Sequence, residues 1–203
     1  PSQIHRDPPG QNRLNCYTAS PAFSGPTRIQ AGTLSLGDAN ALGTANDPIH
    51  IQSGARLDYA CNATLARPVI GLGSITTGTN TLTIASGGSL TPGSGVIGAM
   101  QVEDVDFRGT YNWEYNETGA DLIKAVNLAF GGSPVLNVNW LGAGDVPLGT
   151  NTLFTYLGDD PAAGLWTVNA PAGLRGTVAV DSTNKQVVLR MAVKPSSSRF
   201  RLR

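Results

Sequence analysis

The stretch AMQVEDVDF, residues 99–107, holds three carboxylates close together, Glu103, Asp104 and Asp106. Clustered carboxylates can bind a divalent cation or act as general acid and base on a glycan. If the stretch is a strand, its alternation places Asp104 and Asp106 on one side. No matching set of Asp, Lys or Arg recurs on the neighbouring strand-like stretches. We therefore expect solvated carboxylates on a strand surface and no catalytic residues.

Other polar residues give no stronger sign of a metal or cofactor site. Asp159 and Asp160 lie in a predicted loop, where two acids can form a weak calcium site but are usually just exposed. His5 and His50 stand far apart and at no metal-ligand spacing from the cysteines. The chain also lacks a GxSxG nucleophile motif. No catalytic residue, metal or cofactor is expected.

Three aromatic residues, Tyr111, Trp113 and Tyr115, alternate with Asn112 and Glu114. The alternation predicts a strand with all three rings on one face. Turned inward, the rings would widen the core relative to the Leu and Ile of earlier strands. Turned outward, they would form a stacking platform for sugar rings. The second hypothesis requires that the rings be exposed.

Cys16 and Cys61 are the two cysteines of the chain. They fit one disulfide in an oxidising compartment, which would tie the N-terminal segment to the second strand region. Two buried free thiols fit the sequence equally well, because two cysteines can fall anywhere by chance. The sequence leaves both alternatives open.

The elements that position these residues are predicted to be short strands. In residues 27–59, two apolar and polar alternations flank a turn rich in Gly, Ala and Asn, which is the period-two pattern of half-buried strands. Similar stretches follow to residue 107, separated by Gly-containing turns roughly every 8 to 12 residues. DLIKAVNLAF, residues 121–130, has enough Leu and Ala for a helix, but a helix this short is marginal and the surrounding rhythm favours a strand. The chain is predicted to be all-β.

The sequences AGTLSLGDANALG and IHIQSGARLDY resemble the autotransporter-associated β-strand repeat of bacterial passenger-type surface proteins. The likeness continues in TLTIASGGSLTPGSGVIGAMQV (residues 81–102) and in the closing run of residues 151–191, so it covers about residues 27 to 193. The resemblance implies a right-handed parallel β-helix or solenoid, in which each turn of the chain stacks on the one before. A β-sandwich also uses short alternating strands and is the alternative.

The strand pattern and the resemblance divide the chain into parts. Residues 1–26 contain five prolines and no apolar period, which predicts an extended N-terminal arm that lies on the surface or reaches a neighbouring molecule. Residues 27–193 are predicted to form the solenoid domain. Its regular rungs cover residues 27–107, and wider, aromatic-rich rungs cover residues 108–193.

The C-terminal part carries the clearest local signal. TVAV (residues 177–180) and QVVLRMAV (residues 186–193) flank the turn-rich sequence DSTNK, which predicts an antiparallel hairpin. Such a hairpin would cap the open end of the core, because a solenoid needs its last rung shielded. Residues 194–203, KPSSSRFRLR, form a polar, basic tail that is expected to stay free or to dock on a partner.

The charge composition argues against nucleic acid and membrane partners. With 14 basic and 14 acidic residues and a formal net charge of zero, nothing predicts electrostatic capture of nucleic acid or of an anionic membrane. The chain has no apolar run of about 18 residues, so membrane insertion is not expected. A surface with little net charge does not repel its own copies, which favours self-association.

The pattern and the resemblance together favour a secreted, non-catalytic structural β-solenoid, a subunit or module of a fibre, stalk or adhesin. Its expected location is extracellular or at a bacterial cell surface. Its expected partners are its own copies, joined head to tail in a filament, with an extracellular glycan or the cell surface as a further candidate. The alternative is a carbohydrate-binding or carbohydrate-active β-helix protein that acts on extracellular polysaccharide.

Overall fold

The computed structural model describes residues 12–44 and 46–195, together with the backbone of residues 4–6. All regular elements in these ranges are strands, so the predicted all-β class is confirmed. These ranges accordingly hold no helix of the length and apolar character that a membrane crossing requires. The strands are β1 (Ile4–Arg6), β2 (Arg13–Cys16), β3 (Thr27–Ile29), β4 (Thr33–Leu36), β5 (Ile49–Ile51), β6 (Arg56–Tyr59), β7 (Ala63–Leu65), β8 (Pro68–Gly71), β9 (Ser74–Thr76), β10 (Leu82–Ile84), β11 (Ser89–Thr91), β12 (Ala99–Phe107), β13 (Thr110–Asn116), β14 (Gly119–Ala120), β15 (Leu122–Phe130), β16 (Val135–Trp140), β17 (Gly149–Thr155), β18 (Thr167–Asn169), β19 (Leu174–Asp181) and β20 (Gln186–Val193).

Most of these strands pair in parallel and stack as a β-solenoid of about 6 turns, as predicted. A 12-stranded sheet has the order β1-β2-β4-β6-β9-β12-β15-β17-β20-β19, with β7 and β10 as a side branch. An 8-stranded sheet has the order β18-β16-β13-β11-β8-β5-β3, with β14 paired to β13. The β-sandwich alternative is wrong, because neighbouring strands come from successive turns of the chain and run parallel.

The register of the turns explains the regular alternation of the sequence. One inward position of the 8-stranded sheet repeats from turn to turn, so that its side chains stand next to one another. The middle members are fully buried, whereas Thr27 at one end is polar and Val168 at the other is only half-buried. The complete row is Thr27, Ile49, Val69, Leu90, Tyr111, Leu136 and Val168.

The acidic stretch lies where the solenoid turns a corner. The separate strands β9 and β10 of one turn both pair with β12 in the next, β9 with its first half and β10 with its second half. Between the halves the inward phase shifts, since Val102 and Val105 are both buried while Glu103 and Asp104 are both partly exposed. The alternation resumes after this point, so that Asp104 and Asp106 lie on one side of the strand, as predicted.

Aromatic side chains fill the core of the later turns. Phe154 has its ring centroid 5.8 Å from that of Phe107 and 5.2 Å from that of Tyr111. Trp166 stacks on Phe107 at 5.9 Å and meets Phe130 edge-on at 5.1 Å. Residues 121–130, considered for a helix in the sequence, contain the strand β15, as predicted.

The predicted C-terminal hairpin is confirmed. β19 and β20 run antiparallel along their whole length, and β20 also pairs antiparallel with β17. Val187, Leu189 and Met191 of β20 face the core and are buried. The hairpin therefore ends the 12-stranded sheet with β20, which runs opposite to β17, followed by β19, which runs opposite to β20.

The solenoid begins before residue 27, which corrects the predicted extent of the arm. β2 pairs in parallel with β4, and β1 folds back antiparallel on β2. Leu14 stands beside Leu34, and Arg13 Nη2 donates hydrogen bonds to Ser35 Oγ at 2.7 Å and Asp58 Oδ2 at 2.8 Å. These long-range contacts hold four residues that have no apolar period of their own. Residues 1–3 and 7–11 of the predicted arm and residues 196–203 of the tail lie outside the described residues.

Candidate functional site at the ends of the solenoid

The three clustered carboxylates each hold a separate neighbouring group. Glu103 Oε2 accepts hydrogen bonds from the backbone N–H groups of Thr77 at 2.7 Å and Gly78 at 2.8 Å, in the turn of the preceding rung. Asp104 accepts from the Asn127 side chain, and Asp106 pairs with Arg108. Glu103 and Asp104 thus fasten one turn of the chain to the next, whereas Asp106 pairs within its own turn.

The three aromatic rings predicted as a glycan-stacking candidate lie inside the core. Tyr111 and Trp113 are fully buried and Tyr115 is 2% exposed. Trp113 stacks on Tyr115 at 4.4 Å, and Trp113 Nε1 donates to the backbone oxygen of Asp121 at 2.8 Å. The stacking hypothesis is therefore wrong, because no sugar can reach these rings. Their alternation with Asn and Glu predicted that the rings share one face but left open whether that face is turned inward.

The structure does not bring Cys16 and Cys61 together, and both are free thiols. Cys16 pairs in register with Leu36, and Cys61 Sγ lies 3.9 Å from the carbonyl oxygen of Leu36. The backbone of β4 therefore passes between the two cysteines, so of the two alternatives this arrangement has the free thiols and not the disulfide. Burial raises the pKa of both thiols, and the Asp38 charge adds to this effect at Cys61.

The loop acid Asp160 is engaged by protein groups. Its Oδ1 accepts hydrogen bonds from the Tyr156 hydroxyl at 2.9 Å and Lys185 Nζ at 2.9 Å. Hydrogen bonds from Ser182, Lys185 and Tyr156 lower the pKa of Asp160 to about 2. The lysine ammonium thus occupies a position that a bound cation would need. Within the described part of the chain, no group of three or more His, Cys, Asp or Glu side chains is arranged to hold a metal ion.

Asp121 is a buried carboxylate that sequence reasoning passed over. Its Oδ1 accepts from the backbone N–H of Gly98 at 2.8 Å and its Oδ2 from that of Glu114 at 3.1 Å. Burial raises the pKa of Asp121 to about 7 against these two hydrogen bonds, which lower it. Asp121 links the segment before β12 to β13, so it joins the two sheets. A lone Asp directly ahead of an apolar strand was the available signal.

A shallow groove of about 370 Å³ crosses the outer face of the 12-stranded sheet. One register line along it carries Arg56, Ser74, Gln101, Lys124 and Thr155. Arg56 and Lys124 are exposed, and among the residues with a described placement neither makes an ion pair or a side-chain hydrogen bond. The groove therefore presents two uncommitted cations together with hydroxyl and amide groups.

The two sheets end differently. The 12-stranded sheet ends in antiparallel pairs, β1 with β2 and β19 with β20, whereas the 8-stranded sheet ends in the parallel strands β3 and β18. In β3, Thr27 N donates to Pro48 O at 3.2 Å and Ile29 O accepts from Gln52 N at 3.0 Å. Successive residues of a strand direct their backbone groups to opposite sides, so the N–H and C=O of Arg28 point to the open edge.

The described residues leave the N-terminal end of the core open. A cavity of about 740 Å³ lies among β2, β3 and β4. Thr27 lines it, and the Thr27 hydroxyl is buried without a hydrogen-bond partner among the described residues. Phe23 stands at its rim with 41% of its surface exposed. We call this opening the N-terminal mouth, and its apolar lining consists of Leu14, Ile29, Leu34, Ala41 and Leu42.

The C-terminal end of the 8-stranded sheet is also incomplete. Thr167 N donates to Pro134 O at 2.9 Å, so the backbone groups of Val168 point to the open side of β18. Leu165, just ahead of β18, is 80% exposed. Nε1 of the neighbouring Trp166 is buried and has no partner in the part of the chain that the structure describes. Each end of the core thus leaves a buried polar atom unpaired.

A row of asparagines on the outside of the 8-stranded sheet has a direction. Asn112 Nδ2 donates to Thr91 Oγ1 at 3.0 Å, Asn137 Nδ2 to Asn112 Oδ1 at 2.8 Å and Asn169 Nδ2 to Asn137 Oδ1 at 2.8 Å. Every amide donates towards the N-terminal end. The row therefore stops at β18 with the side-chain oxygen of Asn169 available as an acceptor, next to the open edge.

No protein-family model matches the chain, and no curated protein sequence does so either. The resemblance to the autotransporter-associated repeat therefore stays a prediction.

The 12-stranded sheet extends beyond the 8-stranded sheet at both ends, because β2 and β1 lie past β4 while β20 and β19 lie past β17. In two copies placed end to end these overhanging strands would meet first. What fits the open edge of β3 is a single extended strand.

Proposed function

We propose that the chain is a non-catalytic structural β-solenoid, a module of an extracellular fibre, stalk or adhesin, whose copies associate through their ends. The observation that carries this proposal is the open parallel edge of β3 beside the unfilled N-terminal mouth. Unpaired edge groups accept further strands unless they are covered. Burial of the apolar lining of the mouth would add a hydrophobic driving force.

Two further features support a structural role. Two of the three clustered carboxylates fasten successive turns, Glu103 through Thr77 and Gly78 and Asp104 through Asn127. The formal net charge of zero leaves no general repulsion between copies. A location outside the cell or at a bacterial cell surface follows from the resemblance and belongs to the same proposal.

The groove on the 12-stranded sheet favours a second candidate function, the binding of an acidic polysaccharide. Arg56 and Lys124 are three strand spacings apart in the register, about 14 Å. Between them Ser74 and Gln101 offer hydrogen bonds to sugar hydroxyl groups. Glu103 also lines the groove, and its negative charge opposes an acidic ligand.

Sedimentation velocity and electron microscopy of the full chain test the leading proposal. At tens of micromolar we expect assemblies larger than the 21.1 kDa monomer, and elongated particles in micrographs. A single monomeric species at that concentration would contradict the structural proposal.

Titration with polygalacturonate and with a neutral glucan tests the second candidate. Both the natural chain and the variant Arg56→Gln/Lys124→Gln are titrated. Equal binding by both chains would rule out the groove.

A further inference from the structure

The tail that follows the solenoid carries a strand pattern of its own. Phe200 and Leu202 alternate with Arg199, Arg201 and Arg203. In an extended segment this spacing places the two apolar side chains on one side and the three arginines on the other. We propose that residues 199–203 of one copy add as a strand to the open edge of β3 in a neighbouring copy, where Phe200 and Leu202 fill the N-terminal mouth. This inference rests on the proposed self-association and names the segment that performs it.

The mouth matches such a strand in size and in chemistry. Its volume of about 740 Å³ falls within the range of roughly 300–1,000 Å³ that is usual for ligand pockets. Its lining combines apolar side chains such as Leu14, Ile29 and Leu34 with polar ones from Asn12, Gln30 and Thr33. Side chains two residues apart on a strand are separated by about 6.6 Å, which is also the spacing of the inward residues Thr27 and Ile29.

The backbone of β3 supplies the other half of the match. The N–H and C=O of Arg28 point to the open edge, while Thr27 and Ile29 are bonded to the β5 side. An added strand gains main-chain hydrogen bonds from such an edge, and alternate side chains entering pockets give it specificity. The incoming strand would lie opposite β2 and close the gap through which the cavity opens.

The tail can fill the mouth of a neighbour but not its own. The path from β3 to β18 in the 8-stranded sheet crosses six strand spacings, about 29 Å. β20, from which the tail departs, lies at the β18 end. From Pro195 to Phe200 the chain spans five residues, at most about 17 Å when extended. Occupation of the mouth by this segment therefore links one copy to the next.

One contact opposes the pairing and provides a means to test it. With Phe200 and Leu202 inward, Arg201 faces outward next to Arg28, and like charges directly opposite on neighbouring strands are destabilising. Asp47 lies near the start of β3, because its Oδ2 accepts a hydrogen bond from the backbone N–H of Gly25 at 2.9 Å. Reversal of the charge at position 28 should convert the adverse contact into an attractive one.

The first experiment compares assembly of full-length chains by sedimentation velocity over a concentration series. The variant Phe200→Ser/Leu202→Ser should weaken association at least tenfold relative to the natural chain. Val96→Ser is the control, because Val96 is 56% exposed in the loop between β11 and β12 and is not part of the lining of the mouth. The control should assemble as the natural chain does.

The second experiment measures binding of a fluorescent peptide of residues 194–203 to the full-length Phe200→Ser/Leu202→Ser chain by anisotropy. The same chain with Arg28→Glu should bind the peptide several-fold more tightly at low salt. A peptide with Phe200 and Arg201 exchanged breaks the alternation and should bind at least tenfold more weakly.

The outcomes separate the two proposals. If the Phe200→Ser/Leu202→Ser chain assembles like the natural chain, the tail assignment is wrong and the structural function stands. If the natural chain is monomeric yet the peptide binds, with alternation and Arg28→Glu acting as expected, the docking site stands and the fibre function fails. Absence of both assembly and peptide binding would overturn both proposals.

Discussion

The two sheets of this solenoid share the same turns but end in opposite ways. The 12-stranded sheet finishes at both ends in a reversal of the chain, with β1 on β2 and β19 on β20. The 8-stranded sheet stops at β3 and β18, whose outer backbone groups face no further strand among residues 12–44 and 46–195. Repetition alone thus builds an interior and leaves open edges. A separate, non-repeating segment is needed to finish each sheet.

The difference indicates where stability and where association should reside. The terminal hairpin β19–β20 buries Val187 and Leu189 completely, whereas Val168 in β18 is only half-buried. Loss of a fully buried side chain costs both its transfer free energy and the cavity left behind. The closed sheet should therefore respond to substitution with a loss of stability, and the open sheet with a loss of association.

The largest expected effect is on the closed sheet. Leu189→Ala should lower the free energy of unfolding by about 2–5 kcal/mol, because Leu189 is fully buried. Val168→Ala, at the end of the open sheet, should lower it by under about 1.5 kcal/mol. Urea denaturation followed by intrinsic fluorescence measures both. Equal losses in the two variants would remove the distinction between the sheet ends.

The alternation of apolar and polar residues was sufficient to predict the strands and the hairpin, while the solenoid was predicted from the resemblance to the autotransporter-associated repeat. In a row such as Ile49, Val69 and Leu90, each residue occupies the same inward position in successive turns, so local pattern and tertiary stacking agree. The pattern failed where a contact joins distant turns. β2 is held by the hydrogen bonds of Arg13 to Ser35 and Asp58, and the alternation of residues within β2 does not predict these contacts.

The burial pattern within β12 and the separation of the two cysteines could not be predicted for a related reason. The phase shift at Glu103 and Asp104 depends on how one strand spans two strands of the preceding turn, and this was invisible in the sequence. Whether Cys16 can reach Cys61 depends on which turn lies between them. The N-terminal mouth was likewise unpredictable, because it depends on where the 8-stranded sheet stops, and no local pattern of residues shows that.

The next effect concerns Asp121, which joins the two sheets in the interior. Its pKa is raised from 3.8 to about 7, so the folded chain binds its proton more tightly than the unfolded chain does. Its contribution to stability is complete below about pH 4 and is lost as the pH rises through about 7. The free energy of unfolding should fall by at most about 4 kcal/mol over this window, at about 1.4 kcal/mol per pKa unit.

Asp121→Asn should remove that part of the pH dependence, which denaturation at pH 4.5, 6 and 7.5 measures. Asp121 is remote from the open edges of β3 and β18, so association by sedimentation should respond little to the variant. An unchanged pH slope in Asp121→Asn would assign the titration to another group. A loss of assembly in a variant that remains folded would contradict the separation of interior and ends.

A smaller effect is expected at the open edge of β3. Arg28→Pro removes the outward backbone N–H without breaking the bonds of Thr27 and Ile29 to the β5 side. Association should weaken at least tenfold, while the free energy of unfolding should change by under about 1 kcal/mol. Sedimentation and urea denaturation on the same sample report the two quantities. His50→Ala, one strand further in on the same outer row, is the control and should assemble normally.

The smallest effect tests the row of asparagines that runs towards the open end. Asn137 makes two hydrogen bonds, donating to Asn112 and accepting from Asn169, whereas the exposed Asn169 makes one. At about 0.5–1.5 kcal/mol per hydrogen bond, Asn137→Ala should lower the free energy of unfolding by about 1–2 kcal/mol and Asn169→Ala by about half as much. Urea denaturation resolves this difference. If Asn169→Ala lowers the free energy of unfolding more than Asn137→Ala does, the hydrogen bond to Asn137 is not the only interaction of the Asn169 side chain. A further strand that binds this side chain would then cover the open end of the 8-stranded sheet in solution.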